Sequence, residues 1–84
     1  MKNYLITFRS ITYAQKGERI VKRGGIDCFL RRTPKALTNK TCGYCLQIRP
    51  EDLTRVLEQL KNAQVQFGKV YGLDYEGKFE ELAV

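Results

Sequence analysis

Residues 3–9 alternate along the chain, with Tyr4, Ile6 and Phe8 on one side and Leu5, Thr7 and Arg9 on the other, the period-2 signature of a strand. At Ser10 the period changes. Serine suits a helix N-cap, and Tyr13, Ala14, Gly17, Ile20 and Val21 then return at helical spacing until the Gly24-Gly25 pair stops the run. Gly17 falls on the buried stripe, where a missing side chain costs about 1 kcal/mol relative to alanine and points to close approach between helix and sheet. Residues 26–32 read as a second strand, with Ile26, Cys28 and Leu30 alternating against Asp27, Phe29 and Arg31, so Cys28 is predicted to face the core.

Thr33-Pro34 suits an N-cap and first position, predicting a short helical turn that ends near Lys40. A third strand is expected over 44–49, with Leu46 and Ile48 inward. Pro50, Glu51 and Asp52 open a second helix, with acids where the macrodipole favours them, and Leu53, Val56, Leu57, Leu60 and Ala63 form its apolar stripe. Residues 65–73 read as a fourth strand, and Glu76-Gly77 as the turn of a short hairpin before Phe79. The order β-α-β-β-α-β predicts an α+β, ferredoxin-like fold, a four-stranded antiparallel sheet with two helices on one face. One domain spanning 1–84 is expected, with 74–84 as a C-terminal hairpin extension, because a chain of 84 residues buries only about 60–65% of its unfolded surface and supports one core.

Composition narrows the class. With 43% hydrophobic and 29% charged residues, the chain is an ordinary globular domain and not a disordered tail. Its apolar runs are too short to span a bilayer, and Met1-Lys2-Asn3 leads into a strand pattern without the apolar stretch of a secretory signal, so a cytoplasmic protein is expected. The net charge of +6 is uneven: residues 11–40 hold eight cations against two carboxylates, whereas residues 41–84 hold five against seven. Such a basic region attracts nucleic acid, an acidic protein or a small anion, or simply keeps the surface solvated.

The candidate chemistry is thiol chemistry. There is no histidine, which removes the commonest general base and zinc ligand, and three cysteines is an odd number for a disulfide framework. Cys42-Gly43-Tyr44-Cys45 has C-x-x-C spacing and looks like some glutaredoxin active sites. In thioredoxin-like folds, however, the motif opens a helix that lowers the thiol pKa, and here it precedes a strand. In an extended strand, positions i and i+3 stand about 10 Å apart. A disulfide needs Cα atoms about 4.4–6.8 Å apart, so only a turn at Gly43-Tyr44 would let the two sulfurs bridge. Two readings of Cys45 stay open: a small filler on the second face of the sheet, or a resolving thiol. A zinc site shared between two copies is a weaker alternative.

The segment from Thr33 to Leu46 has the layout Pro-Lys-x-Leu-(x4)-Cys-Gly-x-x-Leu. Together with the opening strand from Tyr4 to Ser10, it resembles the selenium/sulfur carrier protein-like family over roughly residues 3–73. The resemblance implies a small cytoplasmic thiol carrier, not an enzyme by itself, with no cofactor. Cys42 would hold the persulfide or selenyl-sulfide, and Gly43 would allow close backbone approach or a positive φ. It further implies a donor such as a cysteine desulfurase or selenocysteine lyase and an acceptor enzyme as partners, with the carrier a monomer or homodimer.

A reactive thiolate needs positive charge nearby, because a free thiol of pKa about 8.5 is mostly protonated at neutral pH. Lys35 and Lys40 are the local candidates, Arg31 and Arg32 the next, and the N-terminal amides of a turn at Thr33 to Ala36, with Pro34 at its first position, are a further place for an anion. The main competitor from another class is an RRM-like nucleic-acid binder, since the element order and basic region match. The third strand keeps the glycine and one aromatic of the RNP1 pattern but lacks its leading cation and later stacking rings, so nucleic-acid binding is not the expected function. A protein-interaction module is not excluded by any residue.

Overall fold

The structure, a computed structural model, describes residues 3–40 and 43–82. Strand β1 (Asn3–Thr7) leads to helix α1 (Ile11–Arg23), strand β2 (Phe29–Arg32) and a 3₁₀ turn (Lys35–Lys40). Strand β3 (Tyr44–Ile48), a second 3₁₀ turn (Pro50–Asp52), helix α2 (Leu53–Asn62) and strands β4 (Val70–Leu73) and β5 (Phe79–Leu82) follow. The strands form one antiparallel sheet in the order β2-β3-β1-β4-β5. The fold is therefore α+β with two helices, but the sheet has five strands where four were expected. The extra strand arises because Asp74 accepts from the backbone N–H of Glu76 and Lys78, each at 2.9 Å, and Gly77 takes φ 83°, which turns the chain back onto β4.

The pleat sorts the sheet into two faces. Ile6, Leu46, Ile48 and Val70 join Phe8, Ala14, Val21, Ile26, Cys28, Val56, Leu60 and Val65 in one core under the helices. Leu5, Thr7, Cys45 and Tyr71 occupy the alternate positions. They are also buried, yet lie outside that core, so they fill the face that the helices leave uncovered. At Gly17 an added Cβ would stand 3.0 Å from Phe8 Cζ, the close packing its position on the stripe predicted.

Both helices stop in the same way. In α1, Gly25 takes φ 84° while its N–H donates to Lys22 O and the Ile26 N–H donates to Val21 O, a Schellman closure with Ile26 and Val21 in the core. In α2, Gln64 occupies the equivalent left-handed position at φ 58°, with its N–H on Lys61 O and the Val65 N–H on Leu60 O. These closures shorten two expected strands. Ile26 is tied back to α1, so β2 begins at Phe29, and residues 65–69 run from the α2 cap to the sheet, so β4 begins at Val70. The second helix likewise begins one turn later than expected, because Pro50–Asp52 is 3₁₀, with the buried Asp52 carboxylate accepting from Arg49 Nε at 3.1 Å. Among the described residues, no helix is long and apolar enough to cross a membrane.

Candidate functional site

Of the three cysteines, Cys42 lies outside the described residues, and the other two are buried on opposite sides of the sheet. Cys28 belongs to the core beneath α1, as its alternation predicted, and is 4% exposed. Its Sγ–H points to the backbone carbonyl of Glu18 at 4.0 Å. Burial, and after it the Glu18 carboxylate, push this thiol above its ordinary range, while Lys22 opposes them and Asp27 adds to them. A protonated, enclosed thiol of this kind is a packing group and a poor nucleophile.

Cys45 is 0% exposed on the face away from the helices. The register sets it between Arg31 of β2 and Thr7 of β1. Thr7 is fixed in turn: its hydroxyl donates to Lys69 O and accepts from Lys69 N–H, both at 2.8 Å. On the other flank, Arg31 Nη1 donates to Gln47 Oε1 at 2.7 Å. Arg31 therefore lies along the same face as Cys45, a placement that only the register reveals.

The ends of β2 and β3 bring Thr33 and Gly43 together, and the other candidates follow on the turn after β2. The Thr33 N–H donates to Gly43 O at 2.9 Å, which closes the hairpin at the residue that follows Cys42. Thr33 is buried, Pro34 accepts from the Leu37 N–H at 2.9 Å to open the 3₁₀ turn, and Lys35 is exposed on that turn, which ends at Lys40. No described atom lies within 4 Å of a Cβ added at Gly43. Arg32, pointing to the helix side, sets its guanidinium 5.6 Å from the centroid of the Tyr44 ring.

A recess of about 490 Å³ lies elsewhere, between the C-terminal ends of the helices, lined by Ile20, Arg23, Gly24, Gln59, Asn62 and Ala63. It belongs to the helix layer, whereas Cys45 and Arg31 are on the other face of the sheet.

No curated protein and no solved structure matches the chain. The family described as "Putative Se/S carrier protein-like" matches residues 3–72, which takes in β1 through most of β4 and the whole segment from Thr33 to Leu46. The chain belongs to the Se/S carrier protein-like family.

Proposed function

We propose that this protein carries sulfur or selenium as a persulfide or selenyl-sulfide on Cys42 and passes it to an acceptor enzyme in the cytoplasm. The observation that carries this reading is the burial of the other two thiols: Cys28 and Cys45 are 4% and 0% exposed, which leaves the chemistry to Cys42. The family supports it, as does the hydrogen bond from Thr33 to Gly43, which ties the residue after Cys42 to the end of a strand bearing Arg31 and Arg32. We read β1-α1-β2-β3-α2-β4 as the ferredoxin-like unit, to which β5 is appended.

Loading from a persulfide donor is balanced without an added oxidant. The Cys42 thiolate attacks the terminal sulfur of a donor persulfide, a new S–S bond forms on Cys42, the donor's S–S bond breaks, and its electron pair leaves on the donor cysteine. Positive groups before Cys42 favour the thiolate that starts this step, and Lys35 and Lys40, on the turn that Thr33 and Pro34 lead into, are assigned that supporting role. The dithiol redox alternative is less favoured because Cys45 is enclosed. The RRM-like alternative is less favoured because β1 and β3, the strands that carry the stacking rings of such modules, set buried Leu5, Thr7 and Cys45 on the face away from the helices, where the rings Phe29 and Tyr71 belong to the flanking strands.

The test is incubation with a cysteine desulfurase and cysteine, or with a selenocysteine lyase and selenocysteine, followed by intact-mass measurement. Wild type and Cys45→Ser should each gain one chalcogen atom, and Cys42→Ser should gain none. An adduct that survives in Cys42→Ser sinks the assignment.

A further inference from the structure

We infer that the outer edge of β2 is a docking site for an extended acidic segment of a partner protein, added to the sheet as a sixth strand. The proposal rests on the carrier reading only in what the partner does once bound, since the docking itself needs no chalcogen.

The backbone argument comes from the register. Thr33 donates to Gly43, its opposite number, so Phe29, Arg31 and Thr33 turn their N–H and C=O groups toward β3. Leu30 and Arg32 consequently turn theirs outward, and among the described residues no strand pairs with that edge. The edge also presents Phe29 at 67% exposure, a large apolar side chain left in water at the rim of the sheet.

The side chains select the occupant. Phe29 and Arg31 stand on the uncovered face, Leu30 and Arg32 on the helix side, and among the described residues neither arginine forms an ion pair. An antiparallel guest strand places one residue opposite each of these on the same face, so the complementary pattern is acid, acid, apolar, apolar, read opposite Arg32, Arg31, Leu30 and Phe29. A nucleic-acid strand fits less well. Its phosphates would follow one face, whereas the two arginines alternate across the sheet, as the side chains of a paired peptide strand do. Antiparallel pairing of β2 with β2 of a second copy is opposed by the arginines themselves. A guest on this edge lies beside the Thr33–Gly43 closure, and so beside the residue that follows Cys42, which is where a sulfur donor or acceptor would need to be held.

The test uses the Cys42→Ser protein, in which no chalcogen can load at that position, and a capped peptide containing Glu-Glu-Leu-Val between polar residues. Amide exchange should slow by at least about tenfold at Leu30 and Arg32 when the peptide saturates, and change little at Phe29 and Arg31, whose amides already bond to β3. The double variant Arg31→Glu with Arg32→Glu should weaken binding about tenfold or more. Arg32→Pro, which removes an outward N–H and no ladder bond, should bind more weakly than Arg32→Ala. A peptide of the same composition with acids and apolar residues alternating should bind less well.

The inference is overturned by absence of binding at millimolar peptide, or by protection centred on other elements. Displacement of the peptide by a single-stranded oligonucleotide that contacts Phe29 and Tyr71, or protection of Leu30 and Arg32 through self-association without peptide, also overturns it. Because the readout is binding to protein lacking Cys42, its failure leaves the carrier reading standing, and failure of Cys42 to load leaves the docking site standing.

Discussion

The geometry beside Cys45 is testable through Gly68→Ala. A Cβ at position 68 would stand 2.8 Å from Thr7 Oγ1 and 3.4 Å from the Thr7 backbone oxygen, and the Gly68 N–H already donates to that oxygen at 2.7 Å. The hydroxyl has little room to give, because it both donates to and accepts from Lys69 at 2.8 Å while Thr7 is fully buried. Moving it sacrifices two hydrogen bonds worth about 0.5–1.5 kcal/mol each. Against this, alanine restricts the unfolded chain and returns about 0.4–1 kcal/mol. The net expectation is destabilisation of about 1–2 kcal/mol, read as a lower midpoint at unchanged slope in urea unfolding. For a domain of this size, each kcal/mol lowers Tm by about 4–8 °C. A double-mutant cycle isolates the cause. In a Thr7→Ala background the obstructing oxygen is gone, so Gly68→Ala should cost nothing, a coupling of about 1–2 kcal/mol. Equal losses in the two backgrounds, or a neutral Gly68→Ala in wild type, would refute the reasoning.

Three further outcomes are expected. Gln64→Gly should stabilise the fold by about 1 kcal/mol in urea unfolding, because a side chain held at φ 58° carries a steric cost that glycine lacks. Cys28 should alkylate slowly in the native state. Since its folded pKa is raised, the stability it contributes is full below the unfolded thiol's pKa and is lost as pH climbs toward the folded value, so Cys28→Ala should remove part of the alkaline loss of stability. Lys35→Glu should move the pH midpoint of Cys42 alkylation upward, and an unchanged midpoint would release Lys35 from its supporting role.

Much of this arrangement was legible in the chain. The stripe from Tyr13 to Val21 and that from Leu53 to Ala63 gave both helices, since amphipathic periodicity over about two to three turns is hard to imitate, and the alternation of Ile26, Cys28 and Leu30 placed Cys28 in the core. The hairpin at Glu76-Gly77 announced itself through its turn residues, but nothing local says that a four-residue strand will be accepted at the sheet's edge. The α2 stop near Ala63 was legible from the end of its apolar stripe, but not its left-handed closure, because Gln64 adopts a conformation usually given to glycine. At the candidate site, the spacing of Cys42 and Cys45 was visible, whereas the neighbours of Cys45 were not. Thr7 and Arg31 reach it through pairings across 38 and 14 residues of sequence, which only the register of three strands determines.

The central claim, that Cys42 is the attachment point, is tested most directly by mapping the protein isolated without reductant. Peptide mass analysis should find one extra sulfur or selenium atom on the peptide bearing Cys42, removable by thiol, with Cys28 and Cys45 unmodified. A chalcogen carried on Cys45, or a Cys42–Cys45 disulfide with no bound chalcogen, would contradict the account.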